Sequence, residues 1–250
     1  MLVDSHLHLV NCDYDIDEVL YKAKDASVDY FILGGTNRKE NDLNIKLFKD
    51  NSCVYLTLGY HPECANDVMK EDLEYLERQI NENRKKVVAI GEIGLDYYYG
   101  KENQDKQKDL FVNQLRLAKK YNLPVVIHTR DAFNDTYNIL KEEGINKGVI
   151  HCFSSSFEVA LKFIELGFYL GIGGVVTFKN SKLKDVLKQV SLDKIVLETD
   201  SPYLSPERGK TNEPKNILII ANFLADLYNI SLEEVAKITT KNVFELFDLR

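Results

Sequence analysis

No run of this sequence approaches the length of a membrane-spanning helix. Its first residues, MLVDSHLHLV, carry two histidines and no basic segment where a secretion signal would be positive and then apolar. The expectation is a cytoplasmic protein with no membrane partner. Cysteine is sparse: Cys12, Cys53, Cys64 and Cys152 lie far apart with no CxxC pair. That excludes a disulfide framework and a paired-cysteine zinc site, and leaves reduced, packed thiols. Positive charge is short too. Lysine plus arginine number 32 against 39 aspartate plus glutamate, a net charge of -7, which is the wrong sign for gripping nucleic acid over a broad basic face. Attraction for phosphate therefore has to be local, from bound cations or a few arginines in a pocket. No Gly-, Ser- or Pro-rich linker interrupts the chain, so residues 1–250 are expected to form a single domain, and no feature demands an obligate protein partner.

What is present is a regular alternation. Short apolar or β-branched runs predict strands near 2–9, 30–35, 54–60, 87–93, 124–130, 147–153, 168–174 and 195–200. Charged segments of helical periodicity, such as DIDEVLYKAKDAS, DKQKDLFVNQLRLAKKY and FEVALKFIEL, separate them and are long enough to cross back over a sheet. Eight such units in 250 residues predict an α/β fold, a (β/α)8 TIM barrel. Two further helical stretches, 213–228 and 231–247, follow the last strand, the second opening with Ser231 and Glu234 in capping-box spacing. The first strand is not followed by the glycine-rich loop of a dinucleotide-binding sheet.

All five histidines fall at or just beyond the ends of predicted strands: His6 and His8, then His61, His128 and His151. In a barrel those ends converge on one mouth. In a strand, residues two apart face the same way, so His6 and His8 can reach one ion. Glu92, in AIGEIGLD, and Asp200, in VLETDSP, are carboxylates in apolar surroundings, where burial is costly unless a cation offsets it. Such mixed nitrogen and oxygen donors suffice for two divalent ions, Mg2+, Mn2+ or Zn2+. The arrangement expected is Glu92 as bridge, with His6, His8 and Asp200 on one ion and His128 and His151 on the other. A two-metal centre activates water, so the reaction class is hydrolysis.

Around that set, His61 in GYHP is expected to face substrate as a donor or acid. Arg130, Arg208 and Asn212 are candidate phosphate contacts, because guanidinium and amide donors suit phosphate oxygens. Asp4 and Glu198, each two residues before a proposed ligand, are candidates for orienting imidazoles.

The stretches DSHLHL, GYHP, AIGEIGLDYY, PVVIHTRDA, HCFSSS, GIGGVVTF, LETDSPYLSP and RGKTNEP, with the ending VAKITTKNVFELF, together resemble the TatD family of metal-dependent hydrolases, in family order from residue 4 to 247. The resemblance implies an amidohydrolase-like barrel and metal ligands at His6, His8, Glu92, His128, His151 and Asp200. It also implies water activation by Asp200, substrate contact by His61, and magnesium- or manganese-dependent DNase activity, often exonucleolytic. The alternative kept beside it is an amide or ester hydrolase, such as a D-aminoacyl-tRNA deacylase, since a metal centre of this kind also attacks carbonyls.

Overall fold

Every strand of the computed structural model, which describes residues 1–10, 14–98, 102–207 and 209–249, grows from one of the apolar runs. They are β1 (Leu2–Leu7), β2 (Val28–Leu33), β3 (Val54–Leu58), β4 (Val87–Asp96), β5 (Val125–Arg130), β6 (Gly148–Ile150), β7 (Phe168–Ile172) and β8 (Ile195–Leu197). Each pairs in parallel with the next, in chain order. Parallel neighbours need crossovers, and helices supply them. These are α1 (Ile16–Asp25), α2 (Arg38–Phe48), α3 (Lys70–Glu82), α4 (Gln104–Tyr121), α5 (Phe133–Glu142), α6 (Phe157–Glu165) and α7 (Leu183–Leu187). After β8 come α8 (Ile217–Tyr228) and α9 (Leu232–Phe247). This is the expected (β/α)8 barrel with extra C-terminal helices. None of its described helices is long and apolar enough to cross a membrane.

Val3, Ile32, Ala89, Val126, Val149 and Val196 come from six different strands yet form one buried cluster with Val243, Leu246 and Phe247 of α9. Side chains on the outside of a barrel cannot meet across it, so these fill the interior, and α9 caps its lower end. The Thr240 hydroxyl reaching the Met1 carbonyl at 3.3 Å fixes α9 beside the start of β1. The helix is capped by Ser231, whose hydroxyl accepts from Glu234 N at 3.1 Å.

Backbone bonds from just beyond β8 close the barrel: Asp200 N donates to His6 O at 2.9 Å, and His8 N to Ser201 O at 2.7 Å. Asp4 braces the same seam, accepting from Thr199 N at 2.9 Å and from its hydroxyl at 2.5 Å. Sequence placement suggested that Asp4 orients an imidazole. Instead its carboxylate ties β1 to the segment carrying Asp200, and burial pushes its pKa well above the usual range.

Candidate metal centre

At the upper mouth, His8, His61, Glu92, His128, His151 and Asp200 line one cavity of about 650 Å3. A second cavity of about 640 Å3 lies at the lower end between β1, α8 and α9, lined by Met1, Leu218, Leu232 and Phe244 among others. It is mostly apolar and has no histidine, so the chemistry belongs to the upper mouth.

Glu92 is the hub. Its Oε2 lies 3.4 Å from His6 Nε2 and 3.7 Å from His8 Nε2. Its Oε1 lies 2.8 Å from His128 Nδ1, 3.0 Å from His151 Nε2 and 3.6 Å from His61 Nε2. Asp200 Oδ1 is 3.7 Å from the Nε2 atoms of both His6 and His8, which are themselves 3.2 Å apart. The carboxylate of Glu92 thus divides the histidines into two groups, one per oxygen. Asp200 sits at φ 54, a left-handed conformation that aspartate tolerates better than most residues. Gly34, at the end of β2, makes room for the rings: a Cβ there would lie 2.7 Å from His6 Cε1 and 2.8 Å from His8 Cε1.

Three of the four histidines expected to hold metal have a carboxylate behind them, on the nitrogen turned away from Glu92. Glu40 Oε1 is 2.8 Å from His8 Nδ1, Asp96 Oδ2 is 3.0 Å from His128 Nε2, and Glu198 Oε1 is 3.5 Å from His151 Nδ1. Such partners fix ring orientation and strengthen a ligand. Glu198 lies within ion-pair range of His151 Nδ1 without hydrogen-bonding it, while Glu40 and Asp96 were not anticipated. Asp96 carried a signal, being two strand periods beyond Glu92 and on the same face, but β4 was expected to end at residue 93. Glu40 looks like any glutamate in the first turn of a helix; only the fold brings α2 against His8.

Cys152 was also missed. Its Sγ donates to Asp200 Oδ2 at 3.5 Å, and its amide to Glu198 Oε1 at 2.5 Å. Burial pushes its thiol well above the usual range, so it acts here as a neutral donor.

The expected phosphate contacts fare unevenly. Arg130 lies at the cavity, its guanidinium 3.5 Å above the Tyr98 ring. Asn212 is fully buried and engaged: its amide donates to the carbonyls of Thr199 and Tyr203, each at 2.7 Å, and its oxygen accepts from Glu213 N and the Asn216 amide. It clamps the loop after β8 and does not contact a phosphate. Arg208 lies outside the described residues.

His61 caps the turn Pro62–Asn66, accepting at Nδ1 from Glu63 N at 3.3 Å. That bond leaves the proton on Nε2, which points toward Glu92. Burial pushes His61 down to about 4, so at neutral pH it is an uncharged donor and not a charged acid.

Every ion pair of Glu92 and Asp200 among the described residues is to a histidine. Burial would raise Glu92, but the charge of His151 and hydrogen bonds from His128, His151 and His6 hold it well below the usual carboxylate range. Among the described residues the ion-pair partners of Glu92 and Asp200 are thus all titratable, which is what a cation-binding centre needs: protons that metal ions can displace. With imidazole and carboxylate donors on both sides of Glu92, the residues fit a pair of divalent cations.

Burial would lower His8, but its bond to Glu40 and the charges of Glu40, Asp200 and Glu92 outweigh this and raise it to about 9. A metal ligand must be neutral, so below that pH binding has to release the proton. Metal affinity measured by competition with a chelating dye is expected to rise with pH up to about 9 and then level off. In Glu40→Gln the midpoint should fall, and the plateau affinity should drop by about 10- to 100-fold through loss of orientation. A pH-independent affinity would exclude His8 from the centre.

A sequence model described as TatD related DNase matches residues 3–248. The uncharacterized metal-dependent hydrolase YabD of Bacillus subtilis is 42% identical over 99% of both chains. The human deoxyribonuclease TATDN3 is 37% identical, covering 98% of this chain and 94% of that one. The crystal structure of the TatD homologue YJJV from Escherichia coli K12 superposes with a TM-score of 0.93 at 30% identity, over 100% of this chain and 98% of the other. The two-sided histidine cluster around Glu92 therefore stands in a chain that belongs to the TatD family of metal-dependent hydrolases.

Proposed function

We propose that this chain is a deoxyribonuclease, acting in the cytoplasm as one catalytic domain and hydrolysing phosphodiester bonds at the ends of single or frayed DNA strands. The observation that carries the reading is the division of the Glu92 oxygens between two histidine groups. It supports two cations bridged by Glu92, one with His6, His8 and Asp200, the other with His128 and His151. When bound, a pair of divalent ions supplies Lewis acidity, making water nucleophilic at neutral pH and offsetting charge on the scissile phosphate. Asp200 would take the proton of the attacking water and pass it to the leaving oxygen as the P–O bond breaks. His61, neutral and with its proton on Nε2, donates to a phosphate oxygen, and Arg130 holds a neighbouring phosphate at the rim. The family description and the name of the human relative favour DNA. The net charge of -7 favours ends and single strands, because a long duplex would meet repulsion over a larger area.

The test is nucleotide release from end-labelled single-stranded DNA by metal-stripped protein, titrated with Mg2+, Mn2+ and Zn2+. The expected result is release that depends on added metal, with Asp200→Ala as the control against a contaminating nuclease. No release with any metal, together with turnover of D-aminoacyl-tRNA or simple esters, would move the reaction to a carbonyl.

A further inference from the structure

Two large apolar side chains stand exposed at the rim of the charged cavity: Tyr203, 52% exposed, and Leu204, 42% exposed. Both belong to the loop that leaves β8 directly after Asp200. Its two ends are tied by hydrogen bonds. Tyr203 N donates to Asp200 O at 2.8 Å, Asn212 N to Pro202 O at 3.1 Å, and the buried Asn212 amide grips Tyr203 O at 2.7 Å. On its inner side the loop lies close to Gly174, where a Cβ would stand 2.4 Å from Leu204 O. Leu204 itself sits at φ 50, a costly conformation for a leucine. The fold thus bears strain and loses burial to present these two side chains outward beside a metal centre.

The Tyr203 ring lies 6.2 Å from the His8 ring, centroid to centroid, and meets it edge-on. A flat group stacked on Tyr203 would therefore have its attached phosphate within reach of the histidine cluster. Three strands round the barrel, Arg130 lies on the Tyr98 ring and lines the same cavity with its cationic side chain. A carboxylate-rich floor, an aromatic and aliphatic wall and a cationic rim match the parts of one strand end: scissile phosphate, base and next phosphate. The volume, about 650 Å3, is that of a small-molecule site, with room for a terminal nucleotide and none for a duplex.

We infer that Tyr203, supported by Leu204, is the platform on which the terminal nucleobase stacks, so that the substrate class is a single strand held by its last base irrespective of sequence. The inference rests on the nuclease reading. Stacking is tolerant of sequence because every base has a π-face. It acts by holding the strand end, so Tyr203 is a specificity-determining residue outside the proton transfers.

The experiment compares metal-loaded protein on two otherwise identical single strands, one ending in a normal nucleotide and one ending in an abasic sugar phosphate. Wild type is expected to prefer the base-bearing end by about tenfold in kcat/KM, equivalent to about 1.4 kcal/mol and carried mainly in KM. Tyr203→Phe should keep that preference, and Tyr203→Ala should bring it close to unity whichever base is at the end. Cleavage of both strands by wild type with equal kcat/KM overturns the platform and leaves the nuclease standing. A full preference retained by Tyr203→Ala overturns it as well. No cleavage of either strand with Mg2+, Mn2+ or Zn2+ overturns the nuclease reading and the platform together. The wild-type comparison needs no variant, so a poorly folding substitution does not blunt the test.

Discussion

Glu92→Gln should cost the protein its metal centre and lower turnover by more than about a thousandfold, while leaving the barrel folded. Glutamine has the same shape, so packing at the mouth is preserved. It removes the one anion that faces five histidines from both of its oxygens and replaces one acceptor with N–H donors, which repel cations and protonated rings alike. A carboxylate that touches both histidine groups cannot be lost from one side only. Elemental analysis of the purified variant should therefore find less than one tightly held metal per chain, against about two in the wild type. Circular dichroism should be unchanged. A variant that keeps its full metal content and its activity would show that the cations do not share Glu92, and the bridged arrangement would have to be abandoned.

Gly34→Ala should be almost as damaging, although glycine 34 carries no chemistry. The added methyl would sit 2.7 and 2.8 Å from carbon atoms of His6 and His8, too close for any van der Waals contact. Something has to give, and the rings are the movable parts, because the opposing atoms belong to side chains. Relieving such a clash typically costs about 1–3 kcal/mol of stability, a fraction of the roughly 5–15 kcal/mol that holds a domain together. The fold should survive with Tm lowered by a few degrees, roughly 2–4 °C per kcal/mol in a chain of this size. Metal binding is far less forgiving, since ligand distances are held to about 0.2 Å. Affinity is expected to fall by at least about 100-fold, read by chelator competition beside a melting curve. A loss of Tm with wild-type metal affinity would mean that the backbone, and not the rings, had absorbed the methyl.

The parts of this protein legible in its sequence are those that local chemistry dictates. Apolar runs such as VVAIGEI and PVVIH become strands because nothing else can be done with them in water, and alternation with amphipathic helices fixes a parallel sheet. The histidines and Glu92 could be placed at one mouth because strand ends in a barrel share a rim, whatever the loops do. Strand ends were less readable: β6 and β8 are only three residues long, and β4 continues to Asp96 because it stays paired with β5 as far as Arg130. The residues missed, Glu40, Gly34 and Cys152, act through neighbours distant in sequence or through the absence of a side chain, and neither leaves a local pattern. Asn212 was misread for the opposite reason. An amide suited to a phosphate is equally suited to two carbonyls, and only its burial decides between them.

The seam that closes the barrel has a consequence for the life of the chain. Asp4 and Thr199 meet across 195 residues of sequence, and that same junction sets His6 and His8 against Asp200. While the protein is being made, its first strand waits for its last. A nascent chain has released His6, His8, Glu92, His128 and His151 before Asp200, the last of the cluster, leaves the ribosome. Barrel closure and the meeting of His6 and His8 with Asp200 then come in one late step, so a product truncated before Asp200 lacks part of the cluster.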